Sequence, residues 1–252
     1  MDPVTLIDAT ASPVTELGAA FAFAPSTALV AERLGLDVFM LYCLGRGGVL
    51  GDEATTDDVV AAFGGTTPQI VRAQWDEARA VALPSEVARA YLEAARSYAR
   101  KNFAASPSLD GFCAAAKLVV DAAPFGRWPI VDGYRGFELP KDTVARAYQL
   151  VVVLKELRAA AHAEAVVALG VTDAEAHYLA SEDYFELYGY DASGPPEVTD
   201  ELVERRALAE DAATALLAPI YGVLDDEGAA SFLEGVRELA ATADVDVEDV
   251  SV

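Results

Sequence analysis

The chain contains few of the residue types on which disulfide frameworks and metal sites depend. Its 252 residues include two cysteines and two histidines. Cys43 and Cys113 lie far apart in apolar, helix-like sequence, a setting typical of buried, reduced thiols, and this excludes a disulfide framework. No HxxH, HExxH or CxxC spacing is present, and two histidines alone do not complete a zinc site. We therefore expect no metal site, and the sequence identifies no cofactor.

Basic residues are also scarce. The sequence has 41 Asp and Glu residues against 18 Lys and Arg residues, and its formal net charge is −23. The carboxylates are scattered over every predicted helix, which favours a general solvated surface adapted to molar salt over a docking site for one basic partner. Nucleic-acid binding depends on a Lys/Arg patch that contacts the phosphates, and the sequence offers no such patch. We therefore expect no nucleic-acid partner.

Long apolar runs are missing as well. No stretch reaches the roughly 18 consecutive apolar residues that a transmembrane helix needs. The opening segment, MDPVTLIDATASPVTEL, lacks a basic region followed by a hydrophobic run, so it does not read as a signal peptide. We expect a cytoplasmic protein with no membrane contact.

Helix signals recur along nearly the whole chain. Ser, Thr or Asp caps precede alanine-rich segments that end at Gly or Pro, and no alternating strand pattern competes. We predict an all-α, compact bundle of roughly nine or ten helices around a buried central helix at 143–169. The bundle is expected to form one domain over 1–240, or two intimate halves that meet near 104–110, followed by a frayed acidic tail at 241–252.

The same signals predict the boundaries of several elements. A Ser-Pro pair at 12–13 predicts a helix start, and a long apolar stretch at 25–44 ends at the run GRGGVLGD. Residues 106–110 are expected to form a loop. Residues 124–140, rich in Gly, Pro and aromatic residues, are expected to form an ordered connection over the core.

An arginine and a histidine interrupt the most apolar helix of the sequence. Arg158 and His162 lie one helical turn apart on an otherwise apolar stripe, whereas Glu156 lies on a different side. A buried arginine keeps its charge and must be paired, so Arg158 predicts an acidic or carbonyl partner on another helix. For His162 three roles stay open: a neutral hydrogen-bonding group, a general acid or base, or an axial ligand of a metal such as haem iron.

Two interpretations of this pair remain open. The first is a structural ion pair beside a satisfied core histidine. The second is the base of an interhelical pocket, in which the charged pair orients a small apolar or amphipathic ligand. The run GRGGVLGD lacks the lysine of a phosphate-binding loop and follows no strand, which favours a tight helix-to-helix turn over a phosphate site. In the second interpretation Arg46 reaches inward from that turn. The candidate ligand-binding residues are Arg158, His162, Arg46 and Glu156.

Two segments of the chain resemble a known family. LGLDVFMLYCLGRGGVLGD at 34–52 and LKELRAAAHAEAVVALGV at 154–171 resemble the SalK-type helix-turn-helix family of actinobacterial and archaeal proteins, and the resemblance continues in order over about 15–190. The central helix of that family reads like LREHRGDAH. The resemblance implies a DNA-binding regulator, although the winged-helix-like segment that the family carries after the stretch resembling DYFELYGYD is missing from this sequence. It implies no catalytic residue.

The leading functional expectation is a non-enzymatic ligand-binding or sensory protein with an interhelical pocket near Arg158 and His162. One alternative is an enzyme that uses His162 as general acid or base, with Arg158 stabilising developing negative charge. A second alternative is the DNA-binding regulator that the resemblance implies. A third is a scaffold or homodimer that associates through the apolar helices at 27–44 or 210–224.

Overall fold

The computed structural model describes residues 1–63, 68–180, 185–186, 189–191 and 193–243. Within these ranges the chain forms twelve α-helices, one 3-10 turn at Gly48–Leu50 and no strand. The predicted all-α class is confirmed, with more helices than the nine or ten expected. The helices are α1 (Pro3–Ala19), α2 (Pro25–Arg33), α3 (Val38–Gly47), α4 (Thr56–Phe63), α5 (Pro68–Arg79), α6 (Pro84–Asn102), α7 (Pro107–Ala122), α8 (Pro129–Arg135), α9 (Thr143–Ala168), α10 (Asp173–Ala180), α11 (Asp200–Tyr221) and α12 (Asp226–Ala243).

Most of these helices begin at a capping side chain or at a proline. The Asp142 carboxylate accepts a hydrogen bond from the Ala145 backbone nitrogen at 2.9 Å and begins α9. Asp37 accepts one from the Met40 backbone nitrogen at 2.8 Å and begins α3. Such side chains satisfy backbone donors that the first helical turn leaves unpaired. Proline opens α1, α2, α6, α7 and α8, where its missing N–H would have had no helical partner.

Two predicted boundaries near the N-terminus are wrong. The helix expected to start at 12–13 already begins at Pro3, because the Asp2 side chain caps it, and Pro13 lies inside α1. The apolar stretch at 25–44 is divided between α2 and α3. Gly35 separates them with a φ of 73°, a left-handed conformation that ends a helix and that glycine adopts without strain.

Two segments in the middle of the chain that were expected to lack helix contain one. The loop expected at 106–110 is wrong, because the Ser106 hydroxyl accepts a hydrogen bond from the Leu109 backbone nitrogen at 3.4 Å and α7 starts at Pro107. The connection expected at 124–140 contains a helix, α8, which begins at Pro129. Both helices place apolar side chains of their own in the core, among them Leu109 of α7 and Tyr134 of α8.

The central helix is confirmed. α9 packs against α1, α6, α7, α8 and α11. Every residue from 147 to 154 is buried, so this part of the helix is covered on all sides. Beyond Leu157 the buried residues are fewer and α9 presents a partly open face. It ends at Ala168, one residue before the predicted boundary.

The main apolar core draws on both ends of the chain, since Leu6 of α1 and Leu239 of α12 belong to the same cluster as Leu109. A smaller apolar cluster joins the C-terminal end of α9 to α10 and α11. Both cysteines are buried and unpaired. The predicted tail at 241–252 begins inside α12, and its part beyond Ala243 lies outside the described residues. None of the described helices is both long and apolar enough to cross a membrane.

Candidate functional site

The side chains of Arg158 and His162 lie against α11. The Arg158 guanidinium forms an ion pair with the Glu210 carboxylate, and His162 Nε2 lies 3.3 Å from Glu210 Oε1. Arg206, one helical turn before Glu210, binds the same carboxylate. The side chains of Arg158 and His162 are 16% and 25% exposed, so both are partly buried between the two helices. Glu210 is therefore the acidic partner on another helix that the sequence predicts for Arg158.

The electrostatics of this cluster keep Glu210 ionised. Burial raises the pKa of the Glu210 carboxyl, but the adjacent His162, Arg206 and Arg158 outweigh it and hold that pKa well below its usual range. The two arginines that share this carboxylate favour its charged form in this way. The cluster therefore links α9 and α11 through ion pairs to one carboxylate.

A second and more deeply buried ion pair joins α3 to α9. Arg46 Nε donates to both oxygens of the Glu156 carboxylate, at 3.0 and 2.9 Å, and Arg46 Nη2 lies 2.8 Å from Glu156 Oε2. Lys155 Nζ donates to Glu156 Oε1 at 2.8 Å. Arg46 is 7% exposed and Glu156 is 3% exposed. A buried carboxylate with two cationic partners meets the condition under which a charge is tolerated away from water.

The glycines around Arg46 let α3 approach its neighbours closely. A Cβ atom added at Gly45 would lie 2.5 Å from Tyr91 Cβ, and one added at Gly48 would lie 2.2 Å from the Pro84 carbonyl oxygen. Any larger residue would clash at these two positions. The run GRGG is therefore a close-packing element at the end of α3, and it sets Arg46 against Glu156.

Aromatic rings cover the guanidinium of Arg46. Its Cζ atom lies 4.4 Å from the centroid of the Phe63 ring and 5.9 Å from that of the Tyr42 ring. Both distances are within the range of a cation–π contact, which is stronger where the cation is shielded from water. Phe63 is the last residue of α4, so this contact links α4 to the ion pair.

The charge state of the buried pair is well defined. Burial raises the pKa of the Glu156 carboxyl, but Arg46 and Lys155 outweigh it and lower that pKa to about 2. Burial raises the pKa of the Tyr91 and Tyr134 phenols well above the usual value. At neutral pH the carboxylate is therefore ionised while both nearby phenols are neutral.

The ion pair forms the inner end of a cleft of about 490 Å³. One wall is a stripe of small side chains on α9, formed by Ala159, Ala160 and Ala163. The opposite wall consists of residues 60–63 of α4 together with residues 127–130 at the start of α8. The inner end, at Arg46 and Glu156, is the floor of the cleft. The lining residues of α9 become more exposed from Glu156 to Val167, so the cleft opens toward the C-terminal end of that helix.

A more exposed ion pair, between Arg127 and Glu164, lies at the rim of the cleft. Arg127 Nε donates to Glu164 Oε2 at 3.1 Å, and Trp128 Nε1 donates to the same oxygen at 3.2 Å. The Arg127 guanidinium also lies over the Trp128 ring, 4.9 Å from its centroid. Asp173, in the first turn of α10, completes the polar lining. The rim is therefore charged, whereas the walls between rim and floor are mostly apolar.

The helices α4 and α5 form a compact pair beside the cleft. They pack against each other and against α3, and four residues, Gly-Gly-Thr-Thr, separate them in the sequence. Two helices separated by only three or four residues that include a glycine are typical of a helix-turn-helix motif. Val59 and Phe63 of α4, and Val71 and Trp75 of α5, are buried.

The exposed face of α4 and α5 carries more acidic than basic residues. It has four acidic residues, Asp57, Asp58, Asp76 and Glu77, and two basic residues, Arg72 and Arg79. Arg72 is paired with Asp57, and the Thr56 hydroxyl donates to Asp76 at 2.6 Å. Such a face lacks the surplus of positive charge with which proteins bind phosphates.

Fold and site together define an all-helical protein in which a helix-turn-helix-like pair adjoins a cleft with a buried ion pair. The chain belongs to a helix-turn-helix family, whose match covers residues 8–246. The helix-turn-helix family expected from the resemblance is thereby confirmed, and the match also includes α11 and α12. No curated protein and no solved structure matches the chain.

The structure divides the four candidate residues between two places. Arg46 and Glu156 meet at the floor of the cleft, whereas Arg158 and His162 belong to the Glu210 cluster and do not line the cleft. Sequence reasoning missed Phe63, the rim pair and the alanine stripe. A signal for the stripe was present, because Ala159, Ala160 and Ala163 follow Glu156 at helical spacing on one face.

Proposed function

We propose that this helix-turn-helix family member binds a small apolar or amphipathic molecule in the cleft between α4 and α9. A charged pair at the closed end of an apolar-walled cleft supports this proposal above all. Ligand sites are concave and mostly apolar, with a few convergent polar groups, and they enclose about 300–1,000 Å³. A cleft of about 490 Å³ that ends on Arg46 and Glu156 meets each of these conditions.

The shape of the cleft favours an elongated ligand. The lining residues of α9 extend from Glu156 to Val167, which at 1.5 Å per residue corresponds to about 16 Å of helix. Alanines occupy the inner part of this stripe and leave room beside the helix. The ligand would therefore lie along α9 with one end at the ion pair and the other near the rim.

The position of α4 supports a sensory role for such binding. Residues 60–63 of α4 form a wall of the cleft, and only four residues separate Phe63 from the first residue of α5. A ligand in the cleft would contact one helix of the helix-turn-helix-like pair directly. Binding shifts the equilibrium between two arrangements of that pair by no more than the difference in the ligand's binding free energy for the two arrangements.

Filling the cleft tests this proposal. Ala163→Phe places a large ring in the cleft, and the expected result is at least a tenfold loss of affinity for the neutral dye Nile red, measured by fluorescence titration. Ala114→Phe is the matched control, because Ala114 is an exposed alanine of α7, and it should bind the dye as the unmodified protein does. Equal affinity of all three proteins would contradict binding in this cleft, provided that circular dichroism shows each to be folded.

DNA binding is the second candidate function, favoured by the family and by the α4–α5 pair. The acidic face of that pair weighs against it. We expect no change in the fluorescence anisotropy of a labelled random-sequence duplex at about 10 µM protein, within the usual range of non-specific affinity. An increase that falls with rising KCl and is lost in Arg72→Ala would instead establish α5 as a DNA-contacting helix.

A further inference from the structure

We infer that the ligand of the cleft is an amphipathic monoanion, whose carboxylate binds the free edge of the Arg46 guanidinium. This inference rests on the proposed function, since it requires a ligand in the cleft. It adds the charge, the head group and the orientation of that ligand.

The hydrogen bonds of Arg46 leave one edge of its guanidinium unused. Nε and Nη2 are engaged by the Glu156 carboxylate. Among the described residues, none accepts a hydrogen bond from Nη1, and the second N–H of Nη2 is likewise unused. Because Nη1 and Nη2 form a planar fork that matches the two oxygens of a carboxylate, this edge suits a second, bidentate carboxylate.

Arg46 and Glu156 at the floor, together with Lys155, which contacts Glu156 but does not itself line the cleft, leave a positive surplus. Arg46 and Lys155 each carry one positive charge, and Glu156, with its pKa lowered to about 2, carries one negative charge. The nearby phenols of Tyr91 and Tyr134 are neutral, because burial raises their pKa values. A net charge of one held in a weakly polar interior is costly. A single anionic head group would neutralise it.

The remaining charges of the cleft fix the orientation of the ligand. Glu164 is already neutralised by Arg127 at the rim, whereas Asp173 lines the outer part of the cleft. The inner end is therefore positive and the outer end negative. An anion enters with its head toward Arg46 and its apolar body along the alanine stripe. A cationic amphiphile would place its head group at the outer end, near Asp173, and would be repelled from Arg46.

Three ligands of equal chain length separate these possibilities. Octanoate, 1-octanol and octylamine would each be titrated into the full chain by isothermal calorimetry, at a KCl concentration at which the protein is folded. We expect octanoate to bind at least tenfold more tightly than 1-octanol, and octylamine to bind more weakly than both. Equal affinities of octanoate and 1-octanol, or tighter binding of octylamine, would overturn the inference.

Two variants locate the effect at Arg46. Arg46→Lys keeps a cation beside Glu156 but removes the free fork, and it should reduce the preference for octanoate over 1-octanol at least fivefold. Arg158→Lys makes the same substitution in the Glu210 cluster, outside the cleft, and should leave the preference unchanged. If Arg46→Lys does not fold, the double variant Arg46→Met with Glu156→Leu takes its place, and a preference for octanoate that persists there contradicts the inference.

Binding of Nile red separates this inference from the proposed function. If the dye binds in the cleft while octanoate shows no preference over 1-octanol, the cleft is a ligand site but the head-group assignment is wrong. If neither the dye nor any of the three amphiphiles binds to the folded protein, the proposed function itself fails.

Discussion

Replacing Glu156 with glutamine should lower the free energy of unfolding by about 3–5 kcal/mol, the loss typical of breaking a buried ion pair from one side. The reason is that Arg46 stays charged at any accessible pH and would lose the only carboxylate that the described residues place against it. Lys155 would lose the same partner. Urea unfolding followed by circular dichroism measures the change, with an unaltered m value as the sign that only the folded state is affected.

Two further variants show that the loss comes from the buried charge. Glu164→Gln also removes a carboxylate from an arginine, but the Glu164 side chain is 42% exposed, so it should cost less than about 1 kcal/mol. Replacing both partners, as Arg46→Met with Glu156→Leu, should recover at least half of the loss, because apolar residues of similar volume often substitute for a buried pair without penalty. A Glu156→Gln variant no less stable than Glu164→Gln would show that Arg46 reaches solvent.

Local signals explain why much of the fold could be predicted from the sequence. The start of α9 at Asp142 and its enclosure both follow from residues close together in the chain, namely a cap and the apolar run after it. Where prediction failed, two local signals competed. Ser12 and Pro13 look like a helix start, but Asp2 and Pro3 are an earlier start of the same kind, and the buried residues on both sides of Pro13 hold it within one helix.

The candidate site was harder to predict because its contacts join distant segments. Arg46 and Glu156 are separated by 110 positions, and nothing local indicates which arginine meets which carboxylate. Moreover, the middle of α9 is apolar on all sides, so its pattern does not show which neighbour each face meets. The sequence correctly required a partner for Arg158, but the choice of Glu210 over any other carboxylate depends on how α11 packs against α9.

The composition of the site residues also concealed the cleft. A cleft forms where side chains are small and leave empty space beside them, whereas sequence patterns draw attention to charged and aromatic residues. Ala159, Ala160 and Ala163 look like ordinary residues of a helix with high helix propensity. Only the positions of α4 and α8 opposite them turn this stripe into a wall.

Raising KCl from 0.1 to 2 M should increase the melting temperature by about 10 °C or more, as expected for a gain of a few kcal/mol in a chain of this size. The formal charge of −23 makes the folded chain repel itself, and salt shortens the range of that repulsion from about 10 Å at 0.1 M to about 3 Å at 1 M. The formal charge already counts all 18 basic residues, many of which are paired with carboxylates, so the repulsion comes from the 23 carboxylates in excess of them. Differential scanning calorimetry across a KCl series measures the effect.

A charge-reduced variant separates screening from the general stabilisation that concentrated salt gives by exclusion from the protein surface. Four exposed carboxylates of α11 and α12 are suited to this purpose: Glu204, Asp211, Glu227 and Glu234. Their conversion to the corresponding amides changes the formal charge from −23 to −19. If self-repulsion is the cause, the variant melts at a higher temperature than the unmodified protein in 0.1 M KCl, and the difference shrinks in 2 M KCl. A melting temperature that rises equally in both proteins would mean that salt acts through exclusion and that the acidic surface serves another purpose.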